Sequence, residues 1–439
     1  MRRCAAYLLV AILCLCLLIL PIRSTQQSAQ VISSQGIVKG NRSLGWLHTD
    51  GRYIKNEDGQ IVNLRGAAVE EPNYGMFGVS KYWGLADGTF LDGPSLDTYG
   101  DMGRCFDWLK SCGVNCVRLV VNYLTWKGIV DPDNPRTPEQ AQQYKEAVDT
   151  IIRELTTRGI YVYIDHRGVH VYESPAGWVD FVDNQLNDYW MFLQEVAQRY
   201  KDNPGVMGIQ LMNEPRDSFN DYPYYGYWWD FCLETARKIH AVNPNLLVLV
   251  ASTNRTVNGV QLDAQMADAG YKVVSDQFVL NPLPEPNILY VFHNHFNMRE
   301  EWANGADMEF WRNYAAGNNT LAKQQYEDFL YKIAFRASEE YNLPIMNCEF
   351  NVKHYNYVTL EECPYDYRVV TRDLLELMNK YGCHWTWWTW GASLPGYPWD
   401  LDPDTNLLVY PAEENNPGYP YVCNKLSYLG EIWKVYLNA

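Results

Sequence analysis

Apolar residues in this 439-residue chain gather into eight short, nearly continuous runs. They are IVNLRGA from residue 61, NCVRLVV from 115, GIYVYID from 159, VMGIQLM from 206, LLVLVA from 246, NILYVFH from 287, LPIMNCE from 343 and GCHWTWW from 382. Buried parallel strands read in this way, as hydrophobic runs without alternation. Between them lie amphipathic stretches of helical length, about 101 to 112, 138 to 157, 184 to 201, 226 to 242, 320 to 341 and 366 to 381, with a last one near 426 to 437. After the fifth run the helical pattern, near 260 to 269, is weak. Parallel neighbours need crossovers of a dozen or more residues, and eight βα units is the number that closes a barrel. An open doubly wound sheet would carry a Gly-rich phosphate loop after its first strand. Here that stretch reads Ala67-Ala68-Val69-Glu70-Glu71-Pro72. The pattern therefore predicts an α/β chain folded as a (β/α)8 TIM barrel. Ahead of it, WLHTDGRYIKNEDGQIVNL from Trp46 alternates and is punctuated by Asp50-Gly51 and Asp58-Gly59, which predicts a small N-terminal β-hairpin.

In such a barrel chemistry sits at the C-terminal ends of the strands, so the residues closing each apolar run are the informative ones. The third run ends Asp165-His166-Arg167, the fourth Asn213-Glu214-Pro215-Arg216, the sixth His293-Asn294-His295, the seventh Glu349 and the eighth Trp387-Trp388. The second carries Arg118 inside an apolar run, and a buried Arg demands a carboxylate partner. Two glutamates from different strands, converging with His and Asn, supply what acetal hydrolysis needs. One carboxyl must protonate the leaving oxygen while the other attacks or activates water. Burial and a second negative charge keep a proton on the acid, and an Arg keeps the other carboxylate ionised. Arg118 is the candidate for that second task.

The stretch WMFLQEVAQRYKDNPGVMGIQLMNEPRD, Trp190 to Asp217, resembles the fourth-strand signature of glycoside hydrolase family 5, the cellulase family. Leu64-Arg65-Gly66 on the first strand, GVNCVRLVV, Asp165-His166, His293, LPIMNCEF with Glu349, and HWTWWTW follow the same order over roughly residues 46 to 437. The resemblance implies a retaining β-glycanase working through a covalent glycosyl-enzyme, with Glu214 as acid/base and Glu349 as nucleophile. It implies that Asn213 binds the 2-hydroxyl beside the scissile bond, that Arg118 orients Glu349, that His166 and His293 line the same subsite, and that Trp388 forms its floor. One position departs: two residues after the sixth-strand His the family has Tyr, and this chain has His295. Either His295 takes over the hydrogen bond to the nucleophile, or a loop tyrosine does, or the site is altered; because His titrates near neutrality, the first of these would bring an acid-side change in activity.

The chain opens with Arg2 and Arg3 and an apolar run of 17 residues, Cys4 to Leu20. This length fits either a signal peptide or a short membrane anchor, so residues 1–24 are expected to direct export, with residues 25–45 a polar tether and 46–439 the catalytic domain. The rest of the chain keeps 33 basic and 52 acidic residues, a net −19, which disfavours nucleic acid and anionic membrane surfaces as partners. Eight cysteines follow the leader without any C-x-x-C zinc pattern; disulfides and buried thiols both remain open for them. No cofactor and no metal is called for. Sixteen Trp and 33 Tyr exceed the needs of a core. They recur in long inserts after the first strand (Tyr74 to Tyr99, with Tyr82-Trp83), the sixth (Phe296 to Asn319, with Trp302 and Trp311) and the eighth. Such loops suit either a cleft with several sugar subsites or self-packing lids. The expectation is an extracellular or cell-surface monomer acting on β-linked polysaccharide or oligosaccharide, foremost β-1,4-glucan, with β-mannan next. A non-enzymatic carbohydrate-binding protein on the same barrel, or a surface adhesion protein, is the competing reading.

Overall fold

The structure is a computed structural model that describes residues 44–69, 106–128, 138–167, 184–215, 228–253, 255–262, 271–296, 308–352, 362–388, 409–411, 421–426 and 428–438. The leader and tether expected over 1–45 lie almost wholly outside the described residues, as do Tyr82, Trp83 and Trp302 in the inserts. Among the described residues no helix is long and apolar enough to cross a membrane.

An antiparallel hairpin comes first, β1 (Leu47–Asp50) and β2 (Tyr53–Asn56). Gly51 and Gly59 take φ +55° and +75° there, which explains the two Asp-Gly pairs at its turns. Eight parallel strands then close a barrel: β3 (Arg65–Val69), β4 (Cys116–Asn122), β5 (Tyr161–Arg167), β6 (Val206–Leu211), β7 (Leu247–Ala251), β10 (Ile288–Phe296), β11 (Ile345–Val352) and β12 (His384–Trp387). After β7 comes a short hairpin, β8 (Thr256–Val257) with β9 (Val260–Gln261); most of the weak helical stretch expected near 260 to 269 lies outside the described residues. The first apolar run enters the barrel only at Arg65; Ile61 ahead of it is exposed and bridges to Lys55.

Alternation along the strands sorts side chains into two cores. Cys116, Tyr161, Tyr163, Met207, Leu247, Leu249, Leu289, Val291, Met346 and Cys348 fill the inside, joined by Leu47 and Ile54 of the hairpin, which stoppers the N-terminal end. Val117, Val162, Ile164, Val248 and Tyr290 face the surrounding helices. Those helices follow the predicted stretches: 106–112, Pro138–Thr157, Leu186–Arg199, Trp228–His240, Tyr367–Lys380 and Tyr428–Leu437. The single helix expected over 320 to 341 is instead Asn319–Leu330, a wide π turn over Tyr331–Phe335, and Arg336–Glu339. Inside the wide turn the Ile333 carbonyl accepts from the Val274 N–H at 2.8 Å, a partner outside the helix that accompanies the local unwinding. Gly66 is required by the close β3–β4 approach, since a Cβ there would come within 1.8 Å of the Cys116 carbonyl oxygen. Of the eight cysteines, Cys112, Cys116, Cys232, Cys348 and Cys383 are buried free thiols.

Candidate active site

At the C-terminal mouth, inward-facing positions turn from apolar to polar. On β4, Arg118 shares the parity of Cys116 and so points inside, where it is fully buried. Its Nη2 donates to Asp165 Oδ2 at 2.6 Å and to Asn213 Oδ1, and its Nη1 donates to Glu349 Oε2. One guanidinium thus ties together β5, the end of β6 and β11. The planar fork suits this task because it offers donors in several fixed directions and stays charged. The indole of Trp388, one residue past β12, covers it at 5.2 Å from ring centre to guanidinium carbon.

Glu349 owes its direction to a break in register. Between β10 and β11, Phe292 faces Asn347 and the next residue, His293, faces Glu349, so Cys348 is skipped. In this β-bulge two residues of one strand oppose a single residue of the other, and Cys348 and Glu349 both turn inward where strict alternation would send one of them out. With its amide nitrogen turned toward the strand carbonyls, Asn347 bridges the bulge, reaching Glu349 O at 3.1 Å and Phe292 O at 3.2 Å. The second oxygen of Glu349, Oε1, meets His295 Nε2 at 3.1 Å, and the other ring nitrogen of His295 lies 3.1 Å from Asn351 Oδ1.

Glu214 approaches from the opposite side of the mouth. Met212, just ahead of Asn213, takes φ +49° while fully buried, a left-handed conformation that costs a non-glycine residue of order 1 kcal/mol or more. The next two side chains are thereby set over the cavity. Glu214 Oε1 lies 2.8 Å from His293 Nδ1, and His293 Nε2 lies 3.1 Å from the sulfur of Cys348. Single oxygens of Glu214 and Glu349, with one nitrogen each of His293 and His295, all lie within 4.8 Å of one another. Glu214 is the more open carboxylate, its side chain 36% exposed against 8% for Glu349.

The two carboxyls feel different surroundings. Burial pushes the Glu349 pKa up, but the Arg118 charge and the His295 hydrogen bond outweigh it and hold Glu349 well below the usual carboxylate range. Burial likewise costs Arg118 its charge, and Asp165 and Glu349 more than restore it. At Glu214 burial raises the pKa, the hydrogen bond and charge of His293 lower it, and the charge of Glu349 raises it; with a cationic donor His293 it settles at about 2. A neutral His293 changes that balance. When the Cys348 thiol donates to Phe292 O, 3.8 Å away, its sulfur is left to accept from His293 Nε2–H. The ring then offers a bare Nδ1 to Glu214, which must itself be the donor. In that tautomer burial and the Glu349 charge both favour a protonated Glu214.

A family model described as Cellulase (glycosyl hydrolase family 5) matches residues 87–394, more than half of the chain. The chain belongs to glycosyl hydrolase family 5. It is 26% identical over 226 residues to an endoglucanase of Paenibacillus polymyxa, covering 49% of this chain and 52% of that protein. It is 24% identical over 351 residues to Endoglucanase MaCel5A of Microbulbifer sp., covering 79% and 51%. This family 5 chain thus spans about half the length of those curated relatives. Among solved structures, a native beta-glucanase of Saccharophagus degradans superimposes with TM-score 0.56 at 16% identity, covering 92% of this chain and 96% of that one. The catalytic domain of the major endoglucanase of Xanthomonas campestris does so with TM-score 0.53 at 16% identity, covering 89% and 99%. These likenesses support the barrel fold.

Of the residues expected at the site of this family 5 chain, the structure brings together Arg118, Asn213, Glu214, His293, His295, Glu349 and Trp388. It does not bring His166 there. On β5 Tyr161 and Tyr163 face inward, so Asp165 does too, and His166 faces the helices. Its Nε2 is 2.8 Å from the Tyr189 hydroxyl and its ring lies edge-on to Tyr189 and Phe192; burial pushes its pKa down to about 4. The expectation for His166 is therefore corrected by one step of strand alternation, which gives the position to Asp165. Sequence reasoning assigned no role to Asp165, Asn351 or Cys348. Parity with Tyr163 marks Asp165 and spacing from Glu349 marks Asn351, whereas Cys348 has no signal outside the bulge. Trp311, named in the sixth-strand insert, is buried against Tyr365 and belongs to packing.

Proposed function

We propose that this chain is a retaining endo-β-glucanase that cleaves β-1,4-glucan through a covalent glycosyl-enzyme. The observation that carries this reading is the approach of Glu214 and Glu349, with one oxygen of each inside a 4.8 Å cluster. Retaining enzymes place the two carboxyls about 5 to 5.5 Å apart, and inverting ones leave room for a water at about 6.5 to 9.5 Å. Glu349, held ionised by Arg118 and directed by His295, attacks the anomeric carbon. Glu214 gives its proton to the leaving glycosidic oxygen. Glu214 then takes a proton from the water that releases the sugar from Glu349, and the enzyme returns to its starting state. Asn213, hydrogen-bonded to Arg118, would bind a hydroxyl of the same sugar, and Trp388, which covers Arg118, would offer a ring face beneath it. Support for a glucan comes from the names of the relatives and from a beta-glucanase of Saccharophagus degradans solved with cellotetraose, TM-score 0.55 at 16% identity.

Export to the cell exterior or surface, through the basic and apolar segment Arg2 to Leu20, is part of the same proposal, as is action as a monomer. The test is proton NMR of the first products from a soluble β-glucan, run beside mannan and xylan. Retention predicts β-anomeric ends that slowly mutarotate. Products that appear first as the α-anomer would overturn the mechanism, and faster release from mannan would move the substrate to β-mannan.

A further inference from the structure

The same cluster has the composition of a transition-metal site. His293 and His295 supply imidazole nitrogens and Glu214 and Glu349 supply carboxylate oxygens, four donor atoms from three strand ends within 4.8 Å. A tetrahedral zinc ion with bonds of about 2.0 to 2.2 Å sets its donors about 3.3 to 3.5 Å apart. Two pairs already stand near that spacing, His293 to Glu214 at 2.8 Å and His295 to Glu349 at 3.1 Å. Closing the rest takes side-chain movements on the order of 1 Å, and Glu214 is open enough to make them.

The outer contacts fit as well. A ligating imidazole ordinarily donates its other N–H to a fixed acceptor, which sets the tautomer and the ring plane. His293 would bind through Nδ1 with Nε2–H on the Cys348 sulfur, and His295 through Nε2 with Nδ1–H on Asn351 Oδ1. Glu349 binds through Oε1 while Oε2 stays on Arg118. Both ring nitrogens of buried His295 face oxygens, Asn351 Oδ1 and Glu349 Oε1, so Nε2 is aimed at the same carboxylate that would share the ion. The guanidinium of Arg118 is shared by Asp165 and Glu349, and Glu214 meets the imidazole of His293, so an ion at this point would face the carboxylate oxygens that Arg118 leaves open.

We infer that the chain binds one zinc-class divalent cation reversibly through His293, His295, Glu214 and Glu349, so that the ion and the sugar compete for the carboxylate pair. The ligands come from three separate strands, so no short sequence pattern announces such a site.

The experiment is equilibrium dialysis of the chelator-stripped full chain against zinc chloride at pH 7.5, with cobalt(II) absorption as a second readout. One zinc per chain is expected, with intense visible bands from four-coordinate cobalt, and His295→Tyr and Glu349→Gln should each weaken zinc binding at least about tenfold. Either variant suffices if the other does not fold. No bound zinc, or one zinc retained at full affinity in both variants, overturns the inference. A kinetic arm rests on the glucanase reading: zinc should raise KM for soluble glucan and leave kcat alone, and inhibition that more substrate does not relieve counts against shared occupancy. If the chain cleaves no glucan, dialysis still decides the metal site by itself.

Discussion

Arg118→Met tests the electrostatic core of the site. The substitution keeps an unbranched side chain of similar reach but removes the guanidinium that Glu349, Asp165 and Asn213 share. Breaking a fully buried ion pair from one side costs about 3 to 5 kcal/mol, because the abandoned charge stays desolvated. The pH dependence carries the sign. In the native protein the pKa of Glu349 is depressed below its ordinary 4.5, so its contribution to stability is fully present above that value. It is lost as pH falls from there through the lower folded-state value. In the variant, burial remains and His295 and His293 alone of the groups that lowered it still oppose it, so the Glu349 pKa rises. The variant should therefore be most destabilised near pH 7 and recover part of the deficit near pH 4.5, as protonation relieves the unpaired carboxyl. Urea melts at the two pH values measure this directly. Activity should fall by about 10² to 10³, equivalent to about 2.7 to 4 kcal/mol, with the acid limb of kcat/KM moved to higher pH. A stability loss under about 1 kcal/mol at pH 7, together with an unmoved acid limb, would refute the role given to Arg118.

Two further expectations separate the members of the site from their neighbours. His295→Tyr replaces the ring whose hydrogen bond and charge lower the Glu349 pKa with a neutral hydroxyl, so the acid limb should shift to higher pH; a profile that stays put removes His295 from the control of the nucleophile. His166→Phe fills the same space among Tyr189 and Phe192 outside the barrel, so kcat/KM should stay within about twofold of the native value while the lost hydrogen bond costs roughly 1 kcal/mol in thermal melts. A large loss of activity at full stability would return His166 to the sugar subsite.

The resting state of Glu214 depends on the tautomer of His293, and that tautomer depends on a thiol. Cys348 is an inert group by itself, with burial pushing its pKa well up and keeping it neutral. Its hydrogen bonds are coupled to those of Glu214: a thiol that donates to Phe292 O goes with a His293 that accepts from Glu214, and a thiol that donates to His293 Nε2 goes with a His293 that donates to Glu214. Five of the eight cysteines sit as thiols in the two cores, which answers in part the choice between disulfides and thiols for this chain.

Local chemistry along the chain determined the barrel. Eight buried runs with helical crossovers leave few ways to satisfy every strand edge, and a closed ring of eight is the one that needs no edge at all. Polar residues at the ends of those runs determined which positions meet, since strand ends converge on one face of such a ring. Asp-Gly pairs and Leu64-Arg65-Gly66 were legible for the same reason: each requirement is met by neighbours in sequence. What the tertiary structure decided is the direction of each side chain within that face. A one-residue step on β5 sends His166 to the helices and Asp165 to Arg118, and a skipped residue on β11 turns Glu349 inward beside Cys348. The bulge exists only in the pairing of β11 with its neighbours, so no pattern read along one strand contains it. The partners of Arg118 and His295 come from strands far apart in the chain, and closure of the barrel is what brings them within hydrogen-bonding reach.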